Sequence, residues 1–258
     1  MAFSAEWLAL REPADNRARD KDLLIKACKA AGPTPVIVDL GCGTGSNIRA
    51  LAPYLPSRTI WHLVDNDPEL LEIAKSSVSG QVLTHCMDLG EISQIPLESA
   101  TLVTGSALLD LVSTDWLEAF ANQVKVPLYF ALSYNGHMNW DPEHAEDEAV
   151  TNSFNAHQRT DKGLGVAMGP ESPKLASEIF RIAGFETALA QSDWELGPSD
   201  QKLQNELVLG IAHAAKEFGL EAAQGWGAER ILVSGKSYCT IGHEDIFAIP
   251  KKSVERTS

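Results

Sequence analysis

Four cysteines in 258 residues leave little basis for a disulfide scaffold or a zinc site. Cys28, Cys42, Cys86 and Cys239 lie far apart and fit no metal-ligand spacing. No metal is therefore expected, and a reducing cytoplasm is the simplest compartment. Positive charge is also scarce. The 21 Lys and Arg stand against 35 Asp and Glu, a net charge of −14. That argues against a nucleic-acid partner, because phosphate backbones are bound by clustered cations. No apolar run approaches the roughly 20 residues needed to cross a bilayer, so no membrane partner is expected. Met1–Glu6 lacks a basic patch followed by an apolar core, and no secretion signal is expected there. Internal repeats and low-complexity segments are absent too. A chain of this length buries about three-quarters of its unfolded surface and needs no staples.

Present instead are short β-branched runs that end in acids or glycines. Val36-Ile37-Val38-Asp39-Leu40 runs into Gly41-Cys42-Gly43-Thr44-Gly45, which predicts a buried strand, a tight turn and a helix from Ser46. Glycines there permit unusual backbone angles and let a ligand approach bare main chain. The helix N-terminus behind them suits an anionic group. The dinucleotide fingerprint would need a third glycine where Ser46 stands, which speaks against a nicotinamide-dependent oxidoreductase. A second run, Thr59–Val64, ends in Asp65-Asn66-Asp67-Pro68. Asp65 lies one helix and one strand beyond Gly41, where α/β nucleotide folds place an acid against a ribose. Asp67-Pro68 reads as a helix start, with Asp as cap and Pro in the first turn. The third run, Gln81–Cys86, leads to Met87-Asp88-Leu89, and the fourth, Ala100–Gly105, leads to Ser106 and on to Leu111.

This succession resembles the class I S-adenosylmethionine-dependent methyltransferases, over roughly residues 35–133. The resemblance implies that Asp39, Gly41, Cys42, Gly43 and Gly45 form the loop around the methionine part of the cofactor. It implies that Asp65 and the adjoining Asn66 meet the ribose, that Asp88 and Leu89 meet the adenine, and that Ser106 lies beside the cofactor. It also implies the fold class: α/β, a doubly wound, mostly parallel seven-stranded sheet with an antiparallel last strand and helices on both faces. S-adenosylmethionine is the expected cofactor.

The rest of the chain is fitted around that core. Residues 1–34 form an N-terminal helical segment, with Leu23, Leu24, Ala27 and Ala31 on one face and Asp15 as the expected cap of its second helix. Arg11 there either clamps an anionic substrate or joins i to i+4 ion pairs on a solvated helix. Residues 35–258 form the main domain. Pro127–Ser133 is the fifth strand. Residues 134–170, polar and aromatic-bearing, are expected to be a substrate-side lid containing a helix from Glu146 to Gln158. Tyr134, His137 and His157 are the catalytic candidates there, and Lys162 a substrate-binding one. Ser172–Ala183 is a helix and Phe185–Ala190 the sixth strand. Residues 198–236 are an extra helical pair between strands six and seven, packed on the sheet edge or forming a homodimer contact. The last strand starts at Tyr238, with Gly242 as a bulge candidate and His243 read as structural. The tail from Lys251 to Ser258 is expected to fray.

The expected reaction is methyl transfer to a small-molecule acceptor by in-line displacement. The alternatives are a sensor that binds the cofactor without turnover, or a methyltransferase acting on a protein.

Overall fold

The computed structural model describes residues 3–77 and 80–251. The first two residues and the tail 252–258 lie outside the described residues, and so do the expectations placed on them.

Two helices, α1 (Ala5–Ala18) and α2 (Lys21–Ala30), precede the sheet. Asp20, not Asp15, caps α2, accepting from the Leu23 amide at 2.7 Å. Asp15 lies inside α1 and is buried, so its carboxylate serves tertiary contacts instead. Then β1 (Val36–Leu40), α3 (Ser46–Leu51), β2 (Ile60–Asp65), α4 (Pro68–Lys75), β3 (Gln81–Cys86), β4 (Leu102–Ser106) and α5 (Thr114–Gln123) follow the alternation read from the sequence. Asp67 caps α4 and Pro68 opens it, as the dipeptide predicts. Beyond the parallel core lie β5 (Leu128–Asp141), α6 (Asp147–Gln158), α7 (Ser172–Ile182), β6 (Phe185–Gln191), β7 (Trp194–Leu196), α8 (Gln201–Glu217), α9 (Ala223–Val233) and β8 (Tyr238–Pro250).

The strand order is β3-β2-β1-β4-β5-β8-β6, with the short β7 also paired to β8. Strands β1 to β5 are mutually parallel, and β8 runs antiparallel to β5, β6 and β7. This is the expected doubly wound sheet with one unforeseen short strand. Helices cover both faces. Trp116, Phe120, Phe130 and Phe180 fill the layer under α5 and α7. Leu23, Leu24, Ile48, Leu51 and Leu71 fill the other, under α2, α3 and α4.

The largest departure is β5. Residues Tyr134–Asp141, expected to open a lid, continue the strand against β8 as far as the Asp141–Tyr238 pair. Two irregularities interrupt it. Ala131 and Leu132 oppose Asp245 alone, and Asn135, Gly136 and His137 oppose Gly242 alone. The surplus residues therefore belong to β5, and Gly242 is the residue facing the bulge, not the bulge itself. A Cβ on Gly242 would collide with Asn135 and His137. The protruding β5–β8 ribbon builds a third core, with Trp140, Trp194, Trp226, Leu203 and Ile211. The helical pair packs into this core, and its stripe residues Leu203, Ile211 and Ala215 are buried within the chain. Phe218 is exposed because it lies past the end of α8.

Candidate active site

The carboxyl ends of β1 to β4 open into one crevice of about 730 Å³. Its floor is the turn after β1. Gly41 and Gly43 both have positive φ, 60° and 51°, and both line the crevice. Side chains there would be strained and would occupy the floor. The turn is held from β2. Asp65 Oδ2 accepts from the Gly43 amide at 2.8 Å, and Oδ1 accepts from the Asp67 amide at 3.0 Å. Each carboxylate oxygen keeps a further acceptor site. Asn66, Asp88, Leu89 and Ser106 line the same crevice, together with Met87 and Leu108. Leu8 from α1 lies against the turn and also lines it, a contribution not read from the sequence.

Three loop residues assigned to the ligand do other work. Asp39 is buried beneath the turn, where Oδ1 accepts from Asn47 and Thr104, both at 2.7 Å. Burial pushes its pKa up, against those two hydrogen bonds. Arg19 extends the network, donating to Asn47 Oδ1 at 2.9 Å and to Ser106 Oγ at 3.1 Å. Asp39 thus positions the crevice from below without lining it. Cys42 points into the core under α3, where burial pushes its thiol pKa well up. Gly45 is the N-cap of α3, and a Cβ there would come within 3.2 Å of the α4 backbone at Ala74. Its need for glycine is packing, not ligand approach.

A second cavity of about 200 Å³ adjoins the crevice. The two share Phe3, Arg11, Ala107, Leu111 and Lys162 as common wall. Ala107, at the tip of β4, has φ 50°, a strained value of the kind that clusters at functional sites. The chamber is mainly apolar and aromatic, with Trp7, Tyr134, Phe154 and Trp194 among its walls. Arg11 is neither a free clamp nor a solvated helix residue. It makes the i to i+4 pair with Asp15 at 3.0 Å, but both side chains are nearly buried and the guanidinium lies 4.9 Å over the Trp194 ring. Trp194 Nε1 completes the cluster by donating to Asp15 Oδ1 at 3.0 Å.

Of the catalytic candidates, only Tyr134 reaches the chamber. Its hydroxyl donates to Asn155 at 2.8 Å, and burial, aided by the neighbouring Asp110 charge, pushes its pKa well up. It is thus a fixed donor and a poor source of phenolate. His137 is exposed and lines neither cavity, because the β5 bulge that carries it turns it out. His157 sits behind Lys162, 3.5 Å from its Nζ, and faces Glu217 at 3.5 Å. Lys162 does line both cavities, and burial lowers its pKa. Two chamber residues were not assigned from the sequence. His243, read as structural, is held neutral with its pKa lowered to about 4 by burial and by Arg11, and its Nδ1–H donates to the Ile241 carbonyl at 2.9 Å. Asp110 has its pKa raised to about 6 by burial. Its only signal was an acid inside the apolar run Ala107–Leu111.

Comparison with known proteins follows this geometry. Residues 37–126 match the family described as "Methyltransferase domain". No curated protein sequence matches the chain. Among solved structures the fold is similar to a cyclopropane-fatty-acyl-phospholipid synthase-like protein from Lactobacillus casei. The TM-score is 0.57 at 11% identity, covering 97% of this chain and 95% of the other. It is also similar to a proposed type II methyltransferase from Anaeromyxobacter dehalogenans, with TM-score 0.55, 15% identity and coverage of 91% and 97%. At these identities the likeness is one of fold.

Proposed function

We propose that this chain is a class I S-adenosylmethionine-dependent methyltransferase and that the small chamber beside the crevice takes a small-molecule methyl acceptor. The observation that carries this reading is the shared wall of the two cavities. The crevice residues fit the cofactor. Gly41 and Gly43 leave bare backbone on the floor, and Asp65 and Asp88 stand at neighbouring strand ends with acceptor capacity to spare. Asp65 would take the ribose hydroxyls and Leu89 and Met87 the base. The acids Asp65, Asp67, Glu69 and Asp88 give the crevice a negative wall, suited to a cationic ligand.

When bound, S-adenosylmethionine supplies an activated methyl group on a positive sulfur. The protein's own part is alignment and exclusion of water. The Asp65 carboxylate fixes the glycine turn. The Arg19–Asn47–Asp39 network fixes the ends of β1 and β4. Leu111 and Ala107 form the common wall at which the acceptor's nucleophilic atom would be held toward the cofactor crevice. A volume of about 200 Å³ with mainly apolar walls suits a compact small molecule.

Asp65→Ala should weaken S-adenosylhomocysteine binding by about 1.5–3 kcal/mol, the worth of charge-assisted hydrogen bonds, and more if the turn relaxes. Isothermal calorimetry on both proteins checks this, and unchanged affinity would remove the ribose assignment. The acceptor class is tested with methyl-labelled cofactor and a whole cell extract, separated after reaction into small-molecule and protein fractions. Label in a small product is the expected result. Label found only in the protein fraction would overturn the small-molecule reading.

A further inference from the structure

The apolar chamber carries one carboxylate, Asp110, whose burial is offset only in part by the Arg11 charge and by backbone groups of Asp110 and Tyr134. Asp110 lies on the turn after β4 and lines the chamber, and its Oδ1 is buried with no hydrogen-bond partner. Several neighbouring polar groups are committed elsewhere, while the Gln158 amide on the same wall and Arg11 Nη1 make no hydrogen bond among the described residues. Arg11 donates through Nε and Nη2 to Asp15. Lys162 Nζ donates to the His157 carbonyl at 3.1 Å and to Thr160 Oγ1 at 3.0 Å. Tyr134 donates to Asn155, and His243 to Ile241. A buried carboxylate oxygen left without a donor is costly, and native proteins seldom keep one without a use. The rest of the wall offers rings and aliphatic groups, among them Trp7, Phe154, Trp194, Met138 and Ile241. Size narrows the class further. An apolar cavity of about 150 Å³ holds benzene, so about 200 Å³ holds a ring with one or two small substituents.

We propose that this chamber selects a compact aromatic acceptor bearing an O–H or N–H group, and that Asp110 receives that donor. The inference rests on the reading of the chamber as the acceptor site. The ring stacks among the aromatic walls. Its heteroatom supplies the hydrogen bond that Asp110 otherwise lacks, and the same contact holds the heteroatom toward Ala107 and the crevice. Phenols and ring amines present the same donor chemistry, and binding separates them.

The test titrates protein saturated with S-adenosylhomocysteine with three near-isosteres, p-cresol, p-toluidine and p-xylene, at pH 8. At least one donor-bearing ring should bind about tenfold or more tightly than p-xylene, the worth of a hydrogen bond to a charged group. In Asp110→Asn that preference should fall to about threefold or less, as expected for a neutral acceptor. In the wild-type protein it should also shrink as pH falls through about 6, where Asp110 takes up a proton. The titratable groups facing Asp110 across the chamber are Arg11, Tyr134, Lys162 and His243. His243 stays neutral down to about pH 4. The tighter of the two donors names the heteroatom. Equal affinity for all three rings, or a preference that survives in Asp110→Asn, overturns the proposal. Unchanged affinity of Asp110→Asn for S-adenosylhomocysteine locates the effect in the chamber. Failure of the wild-type protein to bind S-adenosylhomocysteine would remove the cofactor reading itself.

Discussion

Asp110→Asn is expected to raise the free energy of unfolding by about 2–3 kcal/mol at pH 8 and to leave it nearly unchanged at pH 4. The sign follows from where the proton resides. Burial raises the folded pKa of Asp110 from 3.8 to about 6. Above pH 6 the folded state must hold an ionised carboxylate in an apolar wall, while the unfolded chain solvates it freely. One pH unit of displacement is worth about 1.4 kcal/mol, so the penalty at pH 8 is about 3 kcal/mol, less what the residue's partial exposure returns. Below pH 6 the folded state takes up its proton first, and the penalty fades. Asparagine carries no charge at any pH and removes the penalty altogether.

His243 works in the opposite direction. Its folded pKa is lowered from 6.5 to about 4, so the unfolded chain binds its proton first as pH falls. Stability from this residue is full above about pH 6.5 and is lost on the way down to about 4, by about 3 kcal/mol. In the wild-type protein the two effects nearly cancel between pH 6 and 4. Asp110→Asn leaves the His243 slope without that offset. Urea denaturation across that range should therefore lose stability more steeply on acidification in the variant than in the wild-type protein. Parallel curves would show that Asp110 is not held ionised against its environment. A gain in stability from removing a single charge is the mark of a residue kept for binding and not for folding.

The second large effect is at Asp245. This fully buried residue of β8 accepts from the Tyr129 hydroxyl at 2.7 Å, the Leu132 amide at 2.9 Å and the Asp20 amide at 3.0 Å. It thereby ties the start of α2 and the first β5 irregularity to one carboxylate. Asp245→Ala orphans three donors, each costing about 1–3 kcal/mol. Against that, Leu132 has φ 56° and would be freed from a conformation costing about 1–3 kcal/mol. The expected net loss is about 4 kcal/mol, read by urea denaturation. A loss below about 1 kcal/mol would show that the ribbon is held by its other contacts. Leu132 lines the acceptor chamber, so the variant should also lose ring binding before it loses S-adenosylhomocysteine binding.

The parts of this molecule legible in the sequence are those settled by local chemistry. Asp67-Pro68 announces a helix start because a cap and a fixed φ act within one turn. The runs ending at Leu40 and Asp65 read as strands because burial on both faces favours apolar residues, and Gln81–Cys86, the half-exposed edge strand, is legible from its β-forming residues alone. The crevice acids were legible for the same reason, as each stands at the tip of such a run. The β5 extension was hidden because its partner lies about a hundred residues away, and Asn135-Gly136-His137 looks like a loop unless that partner is known. Asp39 and Gly45 belong to a pattern that marks the turn correctly but does not separate residues facing the ligand from residues bracing the turn. Asp110 was passed over because an isolated acid in an apolar run is informative only once it is known to line a chamber.

The ribbon that pairs β5 with β8 also sets an order on assembly. The nucleoside crevice is built entirely from residues before 165, with neighbouring strands close in sequence. The chamber beside it needs Trp194, Leu207, Ile241 and His243, which reach it only after closure of a loop that spans much of the chain. Contacts across such separations form late, because their closure entropy must be met first. On a ribosome the half that would hold the methyl donor can therefore take shape while the half proposed to choose the recipient is still being synthesised. A chain cut short before Tyr238 would lack the strand that closes that second half.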